Sequence, residues 1–366
     1  MSKNDIYAIQ GEDYKQMAIQ ILKAANLAAD IKDKRKRVCI KPNILAAQKA
    51  SKGAVTHPEL VDGVLTYLKE EGFLNLAVME GSWVGDLTSK AVHVCGIFDV
   101  CKKHQVPFLD LQKDSYQTLD AAGMPIAVCD AALKSEYLIN IPVLKGHCQT
   151  TVTCALKNSK GLIPNLEKRR FHTLGLHRPI AHLNTVIHQN FILVDNICGD
   201  LDFEEGGNPV VMNRVLGFWD PVLCDSFAAE SMGHHPYDVE YIRLAEQLGI
   251  GSADVAHANM ILLNEGILDQ KRIQPNQRVA RLAAYAKPED ACSACYGSLI
   301  YALDRLSDEG HLQGRKKGSI AIGQGYRGKT GDIGIGQCTK CFRKSLQGCP
   351  PKAIDIVDFL KKEWKY

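Results

Sequence analysis

The chain has no dominant charge, no long apolar run and too few cysteines for a secreted, disulfide-stapled scaffold. Lys+Arg 44 stand against Asp+Glu 41, a net charge of +3, which is too balanced for a dedicated nucleic-acid binder. No apolar stretch approaches the ~18 residues of a membrane span. The N-terminal segment also lacks the charged, then apolar, then small-residue order of a secretory signal. A cytoplasmic protein with no nucleic-acid and no membrane partner is expected. No internal repeat or low-complexity tract is present. Hydrophobic residues at 46% and charged residues at 23% exclude a disordered chain, a collagen-like repeat and a coiled-coil rod. The thirteen cysteines among 366 residues fall well below the roughly 8–10% of a disulfide scaffold. In a reducing compartment they are either buried small hydrophobes or metal ligands.

Short apolar runs alternate with amphipathic stretches over residues 37–265. Val38–Ile40, Leu74–Met79, Tyr137–Val143, Phe191–Val194 and Met260–Leu263 read as buried strands. Glu59–Glu71, behind His57-Pro58, and Tyr237–Gln247 read as helices. The alternation predicts an α/β fold with a mixed, mostly parallel sheet flanked by helices. Residues 265–290 read as a connection. Residues 1–285 are therefore expected to form the α/β domain, and 286–366 a small cysteine-rich C-terminal iron–sulfur module. From residue 310 onward there are twelve Lys+Arg and four Asp+Glu, so a basic tail is joined to a mildly acidic body.

Five cysteines lie in that tail at ligand spacing. Cys292-Ser-Ala-Cys295 opens a helical pattern over Tyr296–Leu306. Cys338-Thr-Lys-Cys341 follows the glycine-rich run Gly331–Gly336, and Cys349-Pro350-Pro351 precedes a last helix over Ala353–Trp364. Two C-x-x-C turns can bring four thiolates to one centre, and a proline follows the fourth ligating cysteine of bacterial ferredoxin runs. The glycines before Cys338 let backbone amides approach cluster sulfurs. Lys340, Arg343, Lys344 and Lys352 suit an anionic cluster–thiolate unit. One [4Fe–4S] cluster is the expected cofactor, with zinc as the alternative and unligated thiols behind both. Cys292, Cys295, Cys338 and Cys349 are the expected ligands, and Cys341 is an alternative able to replace Cys295. The eight other cysteines, from Cys39 to Cys224, read as small buried hydrophobes.

Gly323–Thr330 matches G-x-x-x-x-G-K-T letter by letter. A phosphate loop needs a helix beginning at Lys329-Thr330, so that its amides hold the phosphates. Gly331–Gly336 follows instead, a poor helix former. The segment reads as a glycine-rich approach to Cys338, and a P-loop nucleotide enzyme is a third-ranked function.

In the body, Lys41-Pro42-Asn43 and Lys145-Gly-His147 end strands, where open α/β sheets hold their ligands. Lys157 and Asn158 follow closely. Converging cations make a site for phosphate or carboxylate, whereas single strand-end lysines are more simply solvated. Lys41, Asn43, Lys157 and Asn158 are the expected substrate-binding residues, and Lys145, His147 and His177 the catalytic ones. His172, His177, His182 and His188 are spaced by five, five and six, which does not fit ligands on one helix face. His172 and His177 read better as proton donors. Asp195, Asp220 and Asp225 suit a base, a cation ligand or a turn and cap.

Lys41-Pro42-Asn43, Thr56-His57-Pro58-Glu59, Lys145-Gly-His147, Ala155-Leu-Lys157-Asn158 with Gly161 and Pro164, and Asp220-Pro221 with Asp225 resemble the domain-of-unknown-function 362 family. The resemblance spans roughly residues 37–265, and Lys-Asn-x-x-Gly is its most specific stretch. It implies a link to ferredoxin-like iron–sulfur segments. The run C-x2-C-x2-C-x3-C-P is missing here, which favours one cluster over two. The expected function is an iron–sulfur redox protein, an oxidoreductase holding an anionic small molecule and served by a redox partner protein. The alternative is a non-catalytic electron-transfer or accessory protein.

Overall fold

The computed structural model describes residues 2–201, 204, 209–264 and 278–364. They fall in two compact units, Met1–Arg169 with His177–Pro275 and Arg170–Leu176 with Asn276–Tyr366. The expected boundary after residue 285 misses the inclusion of Arg170–Leu176 in the second unit. Part of the expected connection, 265–277, lies outside the described residues.

The first unit is built on an eight-stranded sheet in the order Asn259–Leu262, Asp5–Gln10, Pro209–Phe218, Phe191–Asp200, Tyr137–Ile141, Val38–Pro42, Leu76–Glu80 and Phe108–Asp110. Pro209–Phe218 runs against the other seven strands. This is the mixed, mostly parallel, helix-flanked sheet that the apolar periodicity predicts. Central strands such as Val38–Pro42 and Tyr137–Ile141 are buried at every position, as expected where helices cover both faces. Tyr137–Ile141 stops two residues before the expected Val143, because Pro142 has no N–H for the ladder. Phe191–Asp200 continues six residues past Val194, since Asp195 and Asn196 find buried polar partners in His57 and Arg214.

The helix Pro58–Glu70 starts with proline in its first turn, where the missing N–H costs nothing. It buries Leu60, Val61, Val64, Leu65 and Leu68. Each such side chain contributes about 1.5–3 kcal/mol of burial. Asp220 caps the helix Pro221–Ser231, accepting from Val222 N–H and Leu223 N–H. Among the described residues no helix is long and apolar enough to cross a membrane.

The second unit has a four-stranded parallel sheet, Ala286–Pro288, Ile320–Ile322, Ile333–Ile335 and Lys344–Leu346. The helices Ser293–Asp308 and Ala353–Glu363 bury Leu299, Leu303 and Leu306 and Ile356, Val357 and Leu360 respectively. No helix begins at Lys329-Thr330, so the phosphate-loop letters lack the structure they need.

Candidate functional site

Val38–Pro42 leads through Leu76–Glu80 to Phe108–Asp110 on one side, whereas Tyr137–Ile141 pairs on its other side. The loops leaving the carboxyl ends of these two central strands therefore part, at the kind of switch point where open α/β sheets hold ligands. Thr56 ties the loops together. Its hydroxyl donates to Ile141 O at 2.8 Å and accepts from Asn43 N–H at 2.7 Å.

Lys41 lies at this switch point, fully buried. Its Nζ is 2.6 Å from Glu80 Oε2 and donates to Asn158 Oδ1 and Pro42 O at 3.1 and 3.0 Å. Asn158 donates in turn to Asn140 Oδ1 at 2.7 Å. Burial lowers the Lys41 pKa and Glu80 opposes that shift. The other Glu80 oxygen accepts from Gly81 N–H at 2.7 Å. A Cβ on Gly161 would overlap both Glu80 Oε1 and Lys41 Nζ, so the Lys-Asn-x-x-Gly spacing serves this ion pair. Lys41 and Asn158, expected to face a substrate, have these partners inside the protein, because a buried ammonium demands a carboxylate and full hydrogen bonding. Asn43 donates its backbone N–H to the Thr56 hydroxyl and accepts the Thr56 backbone N–H on its carbonyl.

A second group lies in the loop after Tyr137–Ile141. There Lys145–His147 pairs with Thr151–Thr153 as a small antiparallel hairpin. His147 Nδ1 accepts from Gln149 N–H and Thr150 N–H at 3.1 and 3.0 Å. The proton of the neutral ring must then sit on Nε2, which lies 2.7 Å from Glu204 Oε2. Burial lowers the His147 pKa to about 4, so the ring is neutral at pH 7. Lys157 Nζ lies 2.9 Å from the same Glu204 oxygen and 3.1 Å from Thr153 Oγ1. Lys145 Nζ donates to Ala54 O and to the Glu204 main-chain oxygen at 2.7 and 3.0 Å. Burial, then the charge of Lys157, lowers Lys145 to about 7, and the same two causes lower Lys160 to about 7. Burial would raise the pKa of Glu204, yet His147 and Lys157 hold it well below the ordinary value. Lys145, His147 and Lys157 thus come together around one residue of the chain itself, His147 and Lys157 at the Glu204 carboxylate and Lys145 at its main-chain oxygen.

His177 is not among the groups on Glu204. Its Nδ1 accepts from Tyr241 N–H at 3.2 Å, and its ring stacks on Tyr241 with centroids 6.0 Å apart. That is a packing and capping role, so the expected proton donor is corrected. His182 Nδ1 lies 2.8 Å from Ala121 O, and no histidine joins a metal-type cluster among the described residues. Asp220 is a helix cap. Asp225 accepts from Tyr241 OH at 2.8 Å and Leu156 N–H at 3.2 Å, beside the Cys154 and Cys224 sulfurs, which are 3.6 Å apart. Burial pushes Asp225 up to about 7. His57 pairs with Asp195, Nδ1 to Oδ2 at 2.9 Å. Glu80 and Glu204 were missed from sequence, although Glu80 left a signal as the acidic end of an apolar strand; Asp195 and His57 were each noted, but not as a pair.

In the second unit, burial and then the charges of Cys338 and Cys349 raise the Cys292 pKa. Burial, then Cys292, Cys349 and Cys338, pushes Cys295 up to about 12. Cys341 is exposed and is not among the thiols acting on Cys292 or Cys295. Gln324 Nε2 donates to Cys292 Sγ at 3.4 Å, and a hydrogen bond to Cys338 raises Arg327. The segment with phosphate-loop letters therefore supplies donors to two of these sulfurs, while Lys329 Nζ sits 2.8 Å from Glu289. Gly336, at φ +91°, leaves room beside Cys295 Sγ. Four mutually close thiols with hydrogen-bond donors at their edge suit an iron–sulfur cluster.

A curated relative, the thylakoid-associated protein sll1697 of Synechocystis sp., is 27% identical over 139 residues. That match covers 37% of this chain and 42% of the relative, so the chain spans well under two thirds of it. Among solved structures, the lactate racemase apoprotein from Thermoanaerobacterium thermosaccharolyticum is similar with a TM-score of 0.40 at 9% identity, over 68% of this chain and 58% of that one. A protein from Thermotoga maritima is similar with a TM-score of 0.39 at 15% identity, over 65% of this chain and 60% of that one. The family model for the domain of unknown function DUF362 matches residues 38–230. That span holds the Lys41–Glu80 pair, the Lys145–His147 hairpin and the Lys157-Asn158-x-x-Gly161 stretch, and the chain belongs to the DUF362 family.

Proposed function

We propose that this DUF362 protein is an iron–sulfur redox protein with an anion-binding α/β body. Cys292, Cys295, Cys338 and Cys349 would hold one [4Fe–4S] cluster, with Gln324 and Arg327 donating to the sulfurs of Cys292 and Cys338. The cluster's contribution, when bound, is to accept and release single electrons. The observation that carries this reading is that Cys338 and Cys349 lie near enough to act electrostatically on both Cys292 and Cys295, whereas Cys341 does not act on Cys295.

The body would hold a phosphate or carboxylate at Lys145, His147 and Lys157, where the Glu204 carboxylate now sits. Lys157 and His147 meet the carboxylate there, Lys145 holds the Glu204 main-chain oxygen beside it, and Lys160 adds charge. Such a ligand would be oriented by charge-assisted hydrogen bonds, and Lys145, lowered to about 7, can give or take a proton near neutral pH. Analysis of anaerobically purified protein for iron, acid-labile sulfide and zinc tests the first half. The reading requires a brown protein with broad absorption near ~400 nm and about four irons per chain. A colourless, zinc-bearing protein would refute it.

One observation favours a second reading, a non-catalytic electron carrier or accessory protein. Glu204 already neutralises Lys157, so the body is electrically satisfied without a ligand. Absence of any bound or bindable anion in a protein with an intact cluster would favour that reading.

A further inference from the structure

The strand Phe191–Asp200 breaks register with its partner between Asn196 and Cys198. In a regular strand, residues three apart face opposite sides. The extra residue lies in the partner strand, where Met212 and Asn213 stand opposite Ile197 alone and Asn213 takes φ +48°; Asp195 and Cys198 nonetheless both meet His57. His57 Nδ1 lies 2.9 Å from Asp195 Oδ2, and its Nε2 lies 3.9 Å from Cys198 Sγ. The same Asp195 oxygen accepts the His57 backbone N–H at 2.7 Å, which fixes the ring's base as well as its edge. The sulfur's other polar contact is Ala50 O at 3.4 Å. The order carboxylate, imidazole, thiol, each within reach of the next, is that of an activated nucleophile.

We propose that Cys198, His57 and Asp195 form a nucleophilic thiol site for small uncharged carbonyl compounds, with Cys198 as nucleophile, His57 as proton carrier and Asp195 as positioning residue. The site is separate from the Glu204 group and independent of the cluster. Burial would lower the His57 pKa, but Asp195 outweighs it and takes the ring to about 10. The ring thus faces the sulfur with Nε2 as its proton partner. In the step, Sγ attacks the carbonyl carbon and a C–S bond forms. The carbonyl π pair moves onto oxygen, which takes the Nε2 proton from His57, giving a neutral hemithioacetal and needing no further reagent. Cys198 is 5% and His57 9% exposed, so the approach admits only small molecules. A carboxylate and a thiolate flanking one imidazolium disfavour an anion. Tyr14 places its ring edge-on to His57 with centroids 5.5 Å apart. Asp195 and Tyr14 are the titratable groups facing the ring, Glu12 and Glu59 act on Tyr14 from farther out, and the Ala50–Lys52 segment faces the sulfur with a backbone carbonyl.

The test follows alkylation of each cysteine peptide by mass spectrometry, using iodoacetamide on the full-length protein purified anaerobically. In that reaction the C–S bond forms as iodide leaves. Cys198 should react at least about tenfold faster than Cys95 and Cys101, which burial pushes up to about 11 and about 12. Between about pH 6 and pH 8 the wild-type rate should change less than about threefold, whereas His57→Gln should be slower and rise steeply with pH. Asp195→Asn should fall between them. Acetaldehyde added first should slow labelling of Cys198 and leave the other thiols unchanged. Labelling of Cys198 no faster than that of Cys95 in the wild-type protein overturns the proposal without any variant, and absence of acetaldehyde protection overturns the carbonyl assignment.

Discussion

Lys41 Nζ and Glu80 Oε2 face each other at 2.6 Å from adjacent strands, 0% and 3% exposed. Their attraction offsets the cost of taking two charges out of water, and neither tolerates loss of the other. Glu80→Gln should destabilise the first unit by about 3–5 kcal/mol, read as a lower urea midpoint with an unchanged slope. Lys41→Met with Glu80→Gln should recover most of that loss, because the uncompensated buried charge is gone.

Glu204 is the counter-charge of the second group, and its removal separates ligand binding from mere neutralisation. With Glu204→Gln, Lys157 loses its carboxylate and Lys145 a nearby negative charge, and the site should take inorganic phosphate or acetate roughly tenfold more tightly, about 1.4 kcal/mol. Titration calorimetry on wild type and variant measures this. Equal, negligible binding by both would leave the body without a ligand and favour the carrier reading.

The His57–Asp195 pair predicts a pH signature in stability. Its folded-state value of about 10 lies above the ordinary 6.5, so the folded protein holds a proton that the unfolded chain releases. The contribution is complete below about pH 6.5 and is lost as pH rises through about 10. The stability gap between wild type and His57→Gln should therefore be largest in mildly acidic buffer and shrink steadily above neutrality. Denaturant unfolding of both proteins across this range checks it, and a gap that widens with pH contradicts the pairing.

Much of the architecture was legible because buried parallel strands are nearly uninterrupted apolar runs, as Val38–Pro42 and Tyr137–Ile141 show. Pro209–Phe218 escaped notice because its first half carries polar and exposed positions, and Asp5–Gln10 lay ahead of the alternating segment. The lysines and His147 were visible from their places at strand ends. Their state was not, since Glu80 and Glu204 lie 39 and 47 positions from Lys41 and Lys157, and only the fold makes them neighbours. Cys198 was hidden for a related reason. An isolated cysteine in an apolar strand reads as packing, and its closeness to His57, 141 positions away, has no marker in the sequence.

Iron retention in single Cys→Ser variants of the five tail cysteines tests the cluster assignment most directly. Anaerobically purified Cys292→Ser, Cys295→Ser, Cys338→Ser and Cys349→Ser should each lose most of the ~400 nm absorption and iron, whereas Cys341→Ser should keep about four irons per chain. If Cys341→Ser loses the iron while one of the other four retains it, the ligand set is wrong. If all five variants and the wild type carry none, there is no cluster.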